Sequence, residues 1–344
     1  VKKWTIVVTA AAVAAAAGLG VGVAVQGSAA HPAAPAPPSA APSRYPTASA
    51  QYAQAVDAAA KDGLRVWIET DLVKRWRAGP ASFDEGIGMT ADLARHPGVV
   101  GIKIADELGY HDGLDSPDKI RAFLTAAGKA LHQAAPGRTI LVDMIVPELG
   151  CLPGYQPPLR WATICAAQAR GQYPQLALDK VDGYLRDHLV DAVDLSTGLL
   201  GDKTYSGWGV DQQTAQRTAW QEVLRRGWDK DVRLQARKAL AHPGTYSATD
   251  TDQSATTFLD IPLQQGAAAV DVWTWRQLYQ GEIYRLMDPG LRTNALWEAL
   301  LRRRAHGAVL FTHLSPKSLE VDLDTDLKVL STVFTDLFVA AGTG

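Results

Sequence analysis

Two adjacent carboxylates, Asp106 and Glu107, close the apolar run Gly98-Val-Val-Gly-Ile-Lys-Ile-Ala105, and they are the residues of this chain best suited to moving protons. When parallel strands close into a barrel, acids at the C-terminal end of a strand face a cleft, because the loops after all the strands gather at that end. Two carboxylates held close together resist simultaneous ionisation, so one keeps its proton nearer neutrality and can donate it. Neighbours in a strand point to opposite faces, so this coupling requires the pair to lie just beyond the strand.

A proton donor of this kind works with a second carboxylate that attacks or stabilises the electron-poor centre. Glu148 follows the strand candidate Thr139–Ile145, Asp194 precedes the polar strand end Ser196-Thr197, and Asp143 lies inside its strand. Glu148 and Asp194 rank equally and Asp143 slightly lower. The expected catalytic residues are therefore Glu107, Glu148 and Asp194, with Asp106 and Asp143 as contacts beside them. Trp273 and Trp275 alternate along one strand and are expected to share a face, with Arg276 next to them. Tyr205 and Trp208 lie in Thr204-Tyr-Ser-Gly-Trp-Gly209, a loop-like segment. These five residues complete the expected binding set. Lys103 is expected to be buried or ion-paired. His111-Asp112 and His313 are weaker candidates, and no His-x-His, His-Glu-x-x-His or Gly-x-Ser-x-Gly pattern occurs. No metal and no cofactor is expected.

The elements that must position these residues alternate between helix and strand. Tyr52–Lys61 has helical propensity, Asp62-Gly63 stops it, and Leu64–Ile68 reads as a strand ending at Glu69. A helix from Phe83 to Arg95 feeds the strand before Asp106, and a helix from Ser116 to Ala134 feeds Thr139–Ile145. Further strands are expected at Ala192–Leu195, Val232–Ala236, Ala268–Trp275 and Ala308–Thr312. Their spacing leaves room for a crossover helix each time, which requires parallel strands. A (β/α)8 barrel fits best, with one strand missing from the count. Either part of Ser43–Gln51 supplies it, or the barrel is incomplete or irregular. An open doubly wound sheet is the alternative, but no Gly-rich phosphate loop follows any strand.

The chain has 344 residues and a formal net charge of −2, which gives no footprint for nucleic acid. Residues 1–30 combine Lys2-Lys3, an apolar run from Trp4 to Val25 and small residues at Ser28 and Ala30. This reads as an export signal cut after Ala30, or as an uncleaved membrane anchor, which would be the chain's one membrane contact. Residues 31–50, rich in Pro, Ala and Ser, read as an extended tether, and residues 51–344 as the barrel domain. The two cysteines, Cys151 and Cys165, are expected to form a disulfide in an exported protein. It would close a loop rich in turn formers and contribute about 3 kcal/mol in the chain-entropy model. Arg302-Arg-Arg304 follows Leu300 and Leu301 in a helical pattern and reads as a solvated helix face.

The stretch Tyr52–Ile145, with AKDGLRVWIE, HPGVVGIKIADE and APGRTILVD, resembles the middle of (β/α)8-barrel glycoside hydrolases. In their largest clan a Glu ending the fourth strand is the general acid/base and a Glu after the seventh is the nucleophile, so the resemblance makes Glu107 the acid/base. The sequence departs from that pattern in two ways: Asp106 stands where Asn is usual, and two strands expected before Leu64 have no room. The resemblance implies an enzyme that cleaves an oligosaccharide or polysaccharide; the N-terminal signal would put it outside the cell or at the outer face of the cell envelope, and the aromatic residues above would stack the sugar. The rival expectation is an inactive barrel that binds envelope carbohydrate.

Overall fold

The computed structural model describes residues 48–341. The segments expected to be an export signal and most of the expected tether lie outside the described residues. Ala48 is buried, and its N–H donates to Asp92 at 3.0 Å. Helix α1 (Ala50–Lys61) then runs to Asp62, and Gly63, at φ +83°, turns the chain into β1 (Arg65–Glu69). Helices α2 (Leu72–Arg77) and α3 (Pro80–Ala94) lead to β2 (Val99–Lys103), and α4 (Pro117–Ala134) leads to β3 (Thr139–Ile145). Ser116 caps α4 by accepting from the Lys119 N–H, as its position before Pro117 predicts.

Two helices, α5 (Arg160–Gln172) and α6 (Leu178–Arg186), separate β3 from β4 (Ala192–Ser196). Helices α7 (Asp202–Ser206), α8 (Gln212–Arg226) and α9 (Trp228–Asp231) precede β5 (Arg233–Ala239), and α10 (Ala248–Ala255) and α11 (Ile261–Gln264) precede β6 (Val270–Trp273). A hairpin follows, β7 (Arg276–Tyr279) and β8 (Glu282–Arg285). Then come α12 (Ala295–Ala305), β9 (Leu310–Leu314), α13 (Leu323–Ser331) and β10 (Asp336–Ala340). The strands close in the order β1-β2-β3-β4-β5-β6-β9-β10, all parallel, with β10 paired to β1. This is a (β/α)8 barrel, with the antiparallel β7–β8 hairpin outside it.

The eighth strand is β10; the described part of Ser43–Gln51, residues 48–51, leads into α1 and holds no strand. The acidic first residue of β10 masked it in the sequence. Asp336 is buried inside an otherwise apolar run, where it accepts from Trp67 Nε1 at 2.9 Å and Arg65 Nη2 at 2.6 Å. Among the described residues, no helix is long and apolar enough to cross a membrane.

Alternation along each strand divides the core. One set, including Val66, Ile68, Ile102, Val142 and Val193, packs against the helices. The other set fills the barrel: Trp67, Leu141, Ala192, Ala269, Phe311 and Phe338 form a separate apolar plug near the N-terminal ends of the strands. Its centre is aromatic, with ring centroids 5.6 Å apart for Trp67–Phe311 and 5.4 Å for Phe311–Phe338. Gly101 makes room for the largest ring, since a Cβ there would fall 2.2 Å from Trp67 Cζ3. Gly101→Ala is therefore expected to lower the unfolding free energy by about 1–3 kcal/mol through overpacking. Urea unfolding checks this, and an unchanged midpoint would mean that the plug yields freely.

Candidate active site

Above the apolar plug the barrel becomes charged. Glu69 on β1, Lys103 on β2, Asp143 on β3, Asp194 and Gln235 on β4 and β5, Asp271 on β6 and His313 on β9 are all buried. Register aligns them into a layer: Glu69 pairs with Lys103, Asp143 with Asp194, Asp194 with Gln235, and Arg237 with Asp271. On β10 the corresponding wall is Phe338, with Lys103 Nζ 5.3 Å and the His313 ring 4.8 Å from its ring centroid.

These charges are tolerable only because they are paired. Lys103 Nζ lies 2.9 Å from Glu69 Oε1, 3.0 Å from Asp106 Oδ1 and 3.6 Å from Asp143 Oδ2. His313 bridges two acids, with Nδ1 2.8 Å from Glu69 Oε2 and Nε2 2.8 Å from Asp271 Oδ2. Arg237 closes the circuit. Its Nη1 contacts Asp143 and lies 3.6 Å from Glu107 Oε1, its Nη2 is 3.1 Å from Asp106 Oδ1, and its Nε is 3.5 Å from Asp271 Oδ2.

Protonation follows from these contacts. Burial opposes the charge on Glu69, but His313 and Lys103 outweigh it and bring the carboxyl down to about 2. Burial likewise opposes the His313 imidazolium, and Asp271 and Glu69 overcome it to raise the ring to about 9. Both His313 nitrogens therefore donate at neutral pH. Asp106 is held well below the usual carboxylate range by Lys103 and Arg237 against the effect of burial. Asp143 moves the other way: burial, reinforced by the Asp106 carboxylate, raises it despite Arg237 and Lys103. Burial and then Asp271 raise Asp194 to about 7. The layer thus mixes fixed charges with two acids that favour their protons.

Over this layer, at the mouth of the barrel, opens a cavity of about 490 Å³, within the usual range for small-molecule sites. Glu107, Arg237 and Lys238 bring charge to it. Tyr110, Tyr173, Trp208 and Phe258 bring aromatic surface. Glu107 adopts φ +49°, a left-handed conformation uncommon for a side-chain-bearing residue, and sits just beyond β2. Its side chain is 30% exposed. The Leu108 N–H fixes the turn by donating to the Asp143 carbonyl at 2.8 Å. Lys238 Nζ lies 4.6 Å from the Phe258 ring centroid, and burial lowers its ammonium to about 7. Cys151 and Cys165 form the disulfide, with a Cα separation of 5.4 Å, and both line the cavity.

The structure brings together some of the residues singled out in the sequence and disperses others. Glu107, Asp106 and Asp143 converge on Arg237, and Trp208 lines the cavity. Asp194 lies wholly buried in the charged layer, accepting from Gln235 Nε2 at 2.6 Å. Glu148 stands apart, its carboxylate accepting from Arg170 Nε at 2.7 Å and the Leu178 N–H at 3.2 Å, where it fastens α5 and α6. Tyr205 is also buried, donating to the Gly150 carbonyl at 2.6 Å.

Trp273 and Trp275 share no wall, because β6 ends at Trp273 and strict alternation ends with it. Trp273 packs on Tyr279 and Tyr284 of the hairpin, whereas Trp275 donates to Asp326 at 2.7 Å and packs on Trp297. Arg276 pairs with Glu320 at 2.9 Å. Asp112 caps its own loop, accepting from the Gly109 and Leu114 N–H groups. Among the described residues, no group of His, Cys, Asp and Glu is arranged to hold a metal ion.

Glu69, Arg237, Lys238 and Asp271 were not among the residues singled out in the sequence, and His313, a weaker candidate there, is central to the charged layer. Their common signal is one charged or polar residue interrupting each apolar strand near its C-terminal end. The strand count also changes the meaning of Asp106-Glu107. They follow the second barrel strand, while the fourth, β4, ends in Ser196 and the seventh, β9, in Leu314. The clan's two positions for catalytic Glu are therefore not matched, and the case for Glu107 rests on where it sits.

The bridging histidine makes stability depend on pH. Because folding raises His313 from 6.5 to about 9, its contribution is full below 6.5 and is lost as pH rises through about 9. Glu69 acts oppositely, contributing above 4.5 and losing its effect as pH falls through about 2. His313→Gln is thus expected to flatten the decline in the urea midpoint between pH 6.5 and 9. A variant that kept the parent's alkaline decline would count against a charged His313.

No protein-family model matches the chain, and no curated protein matches its sequence. Solved structures similar to it include the carboxyl transferase domain of Rhizobium etli pyruvate carboxylase with pyruvate. That domain is 12% identical with a TM-score of 0.43, over 91% of this chain and 46% of that one. A longer structure of the same carboxylase is 10% identical with a TM-score of 0.41, and the match covers 84% of this chain but only 24% of the carboxylase. Endo-glycoceramidase II from Rhodococcus sp., in a cellobiose-like isofagomine complex, is 14% identical with a TM-score of 0.40, over 81% of this chain and 73% of that one. The neighbours thus include a glycoside hydrolase and carboxyl transferase domains, while the barrel assignment itself rests on strand topology.

Proposed function

We propose that this protein is an exported glycoside hydrolase-like enzyme. The observation that carries this reading is the Glu107 carboxyl beside the Arg237 guanidinium at the charged end of an aromatic-walled cavity. Glu107 gives its proton to the glycosidic oxygen as the bond from that oxygen to the anomeric carbon breaks, and takes a proton back from the water that then adds to the anomeric carbon. Asp106, 54% exposed and held ionised by Lys103 and Arg237, supplies the negative charge that stabilises the oxocarbenium-like centre. Both carboxylates contact one guanidinium, Asp106 at 3.1 Å and Glu107 at 3.6 Å. Trp208, in the lining of the cavity, offers an aromatic surface for the sugar ring. Asp143 and Asp194, beneath the cavity, hold Arg237 and Gln235 in place.

A second reading, carbohydrate binding without turnover, is favoured by one observation. Arg237 engages Asp106, Asp143 and Asp271 as well as Glu107, a circuit that holds the site together whether or not a reaction occurs. Kinetics on a panel of fluorogenic glycosides and polysaccharides separates the two. Glu107→Gln is expected to lower kcat by about 10²–10⁴-fold with a small change in KM, and Asp106→Asn to lower kcat as well. Undiminished turnover in Glu107→Gln would overturn the assignment of the donor. Binding of oligosaccharides by the parent protein without turnover of any substrate would select the second reading.

A further inference from the structure

Helix α5 is built unlike the other long helices of this barrel. Of its thirteen residues only Ala162 is buried, so the hydrophobic core does little to hold it. It is fastened instead by the Cys151–Cys165 disulfide and by the Arg170–Glu148 ion pair. The stripe that such a helix would normally press into a core consists of Trp161, Ile164, Cys165, Gln168, Ala169 and Gln172, and every one of these lines the cavity. Its outer end is apolar and open to water, with Trp161 52% and Ile164 37% exposed. Large apolar side chains held in solvent by a covalent tether are unexplained by folding and mark a surface meant to be covered.

Polarity is graded along this wall. At the C-terminal end of α5, Gln172 adjoins Tyr173, whose ring stacks on Tyr110 at 4.5 Å, close to Glu107. From there to Trp161 is about 16 Å along the helix axis, and the polar side chains of the stripe, Gln168 and Gln172, stand on the inner part. Leu199 and Leu200 add apolar lining from the loop after β4. A chain of sugars would need polar partners along its full length, whereas on the α5 wall they are concentrated at one end.

We propose that the cavity takes a glycoside with a long apolar aglycone, its sugar beside Glu107 and Arg237 and its alkyl chain laid along the α5 stripe toward Ile164 and Trp161. This rests on the glycoside reading for the sugar end and narrows its substrate class to amphipathic glycosides. The apolar arm is read separately, by binding.

Isothermal titration of the intact protein with methyl, hexyl and octyl β-glucoside, each below its micelle-forming concentration, tests it. Affinity is expected to rise about three- to four-fold for each methylene that becomes buried, so octyl should exceed hexyl by about ten-fold. In the double variant Trp161→Ser, Ile164→Ser the octyl-to-hexyl ratio is expected to collapse toward one. Both side chains are exposed, so the fold does not depend on them. Equal affinity for hexyl and octyl, no binding of octyl glucoside at millimolar concentration, or an unchanged ratio in the double variant would overturn the proposal. Chain-length-dependent binding without hydrolysis would remove the hydrolase reading and leave this one standing. Hydrolysis without chain-length dependence would do the reverse.

Discussion

Arg237 is the cation on which the buried Asp143 and Asp271 and, at the mouth of the barrel, Asp106 and Glu107 all converge. A carboxylate taken out of water loses several kcal/mol of hydration, and another negative charge nearby adds to that cost, so this arrangement requires a cation with several donors in fixed directions. The planar guanidinium meets that need, addressing acids on β3, on β6 and in the loop after β2 at once. Lys103 and His313 complete the balance from the other side by joining Glu69 to Asp106, Asp143 and Asp271. With every neighbour committed, the Glu107 carboxyl remains the acid that lines the cavity.

The rest of the architecture follows from keeping that charged layer in place. Beneath it the aromatic plug of Trp67, Phe311 and Phe338 fills the barrel, and Phe338 also gives Lys103 and His313 an aromatic face. Above it the chain must turn sharply, and Glu107 does so in a left-handed conformation that the Leu108–Asp143 backbone hydrogen bond holds. The wall over the mouth is attached differently. Helix α5 is held by a disulfide and an ion pair, which leaves its apolar stripe available to the cavity.

Several elements were legible because their signals are local. Seven of the eight barrel strands stand out as short apolar runs between Gly or Pro turns and helical segments, and the Ser116 cap marks the start of α4. Strand β10 escaped because Asp336 replaces the apolar residue that would have begun it. Glu148 looked like a rim acid for a similar reason, since position along a chain does not reveal that Arg170 and the Leu178 N–H already occupy its oxygens. Trp273 and Trp275 were assigned one face by alternation, a rule that holds only as far as the strand does.

By itself, the sequence determined the order of helices and strands, the parallel class of the sheet and the placement of Asp106-Glu107 just past a strand end. These depend on periodicity and turn chemistry, which act over a few residues. The partners of those acids were decided only in the tertiary structure. Arg237 is 130 residues from Glu107 in the chain and His313 is 244 from Glu69, and barrel closure alone sets which inward positions share a layer. The charge on each group follows from those distances and from burial, both properties of the closed barrel.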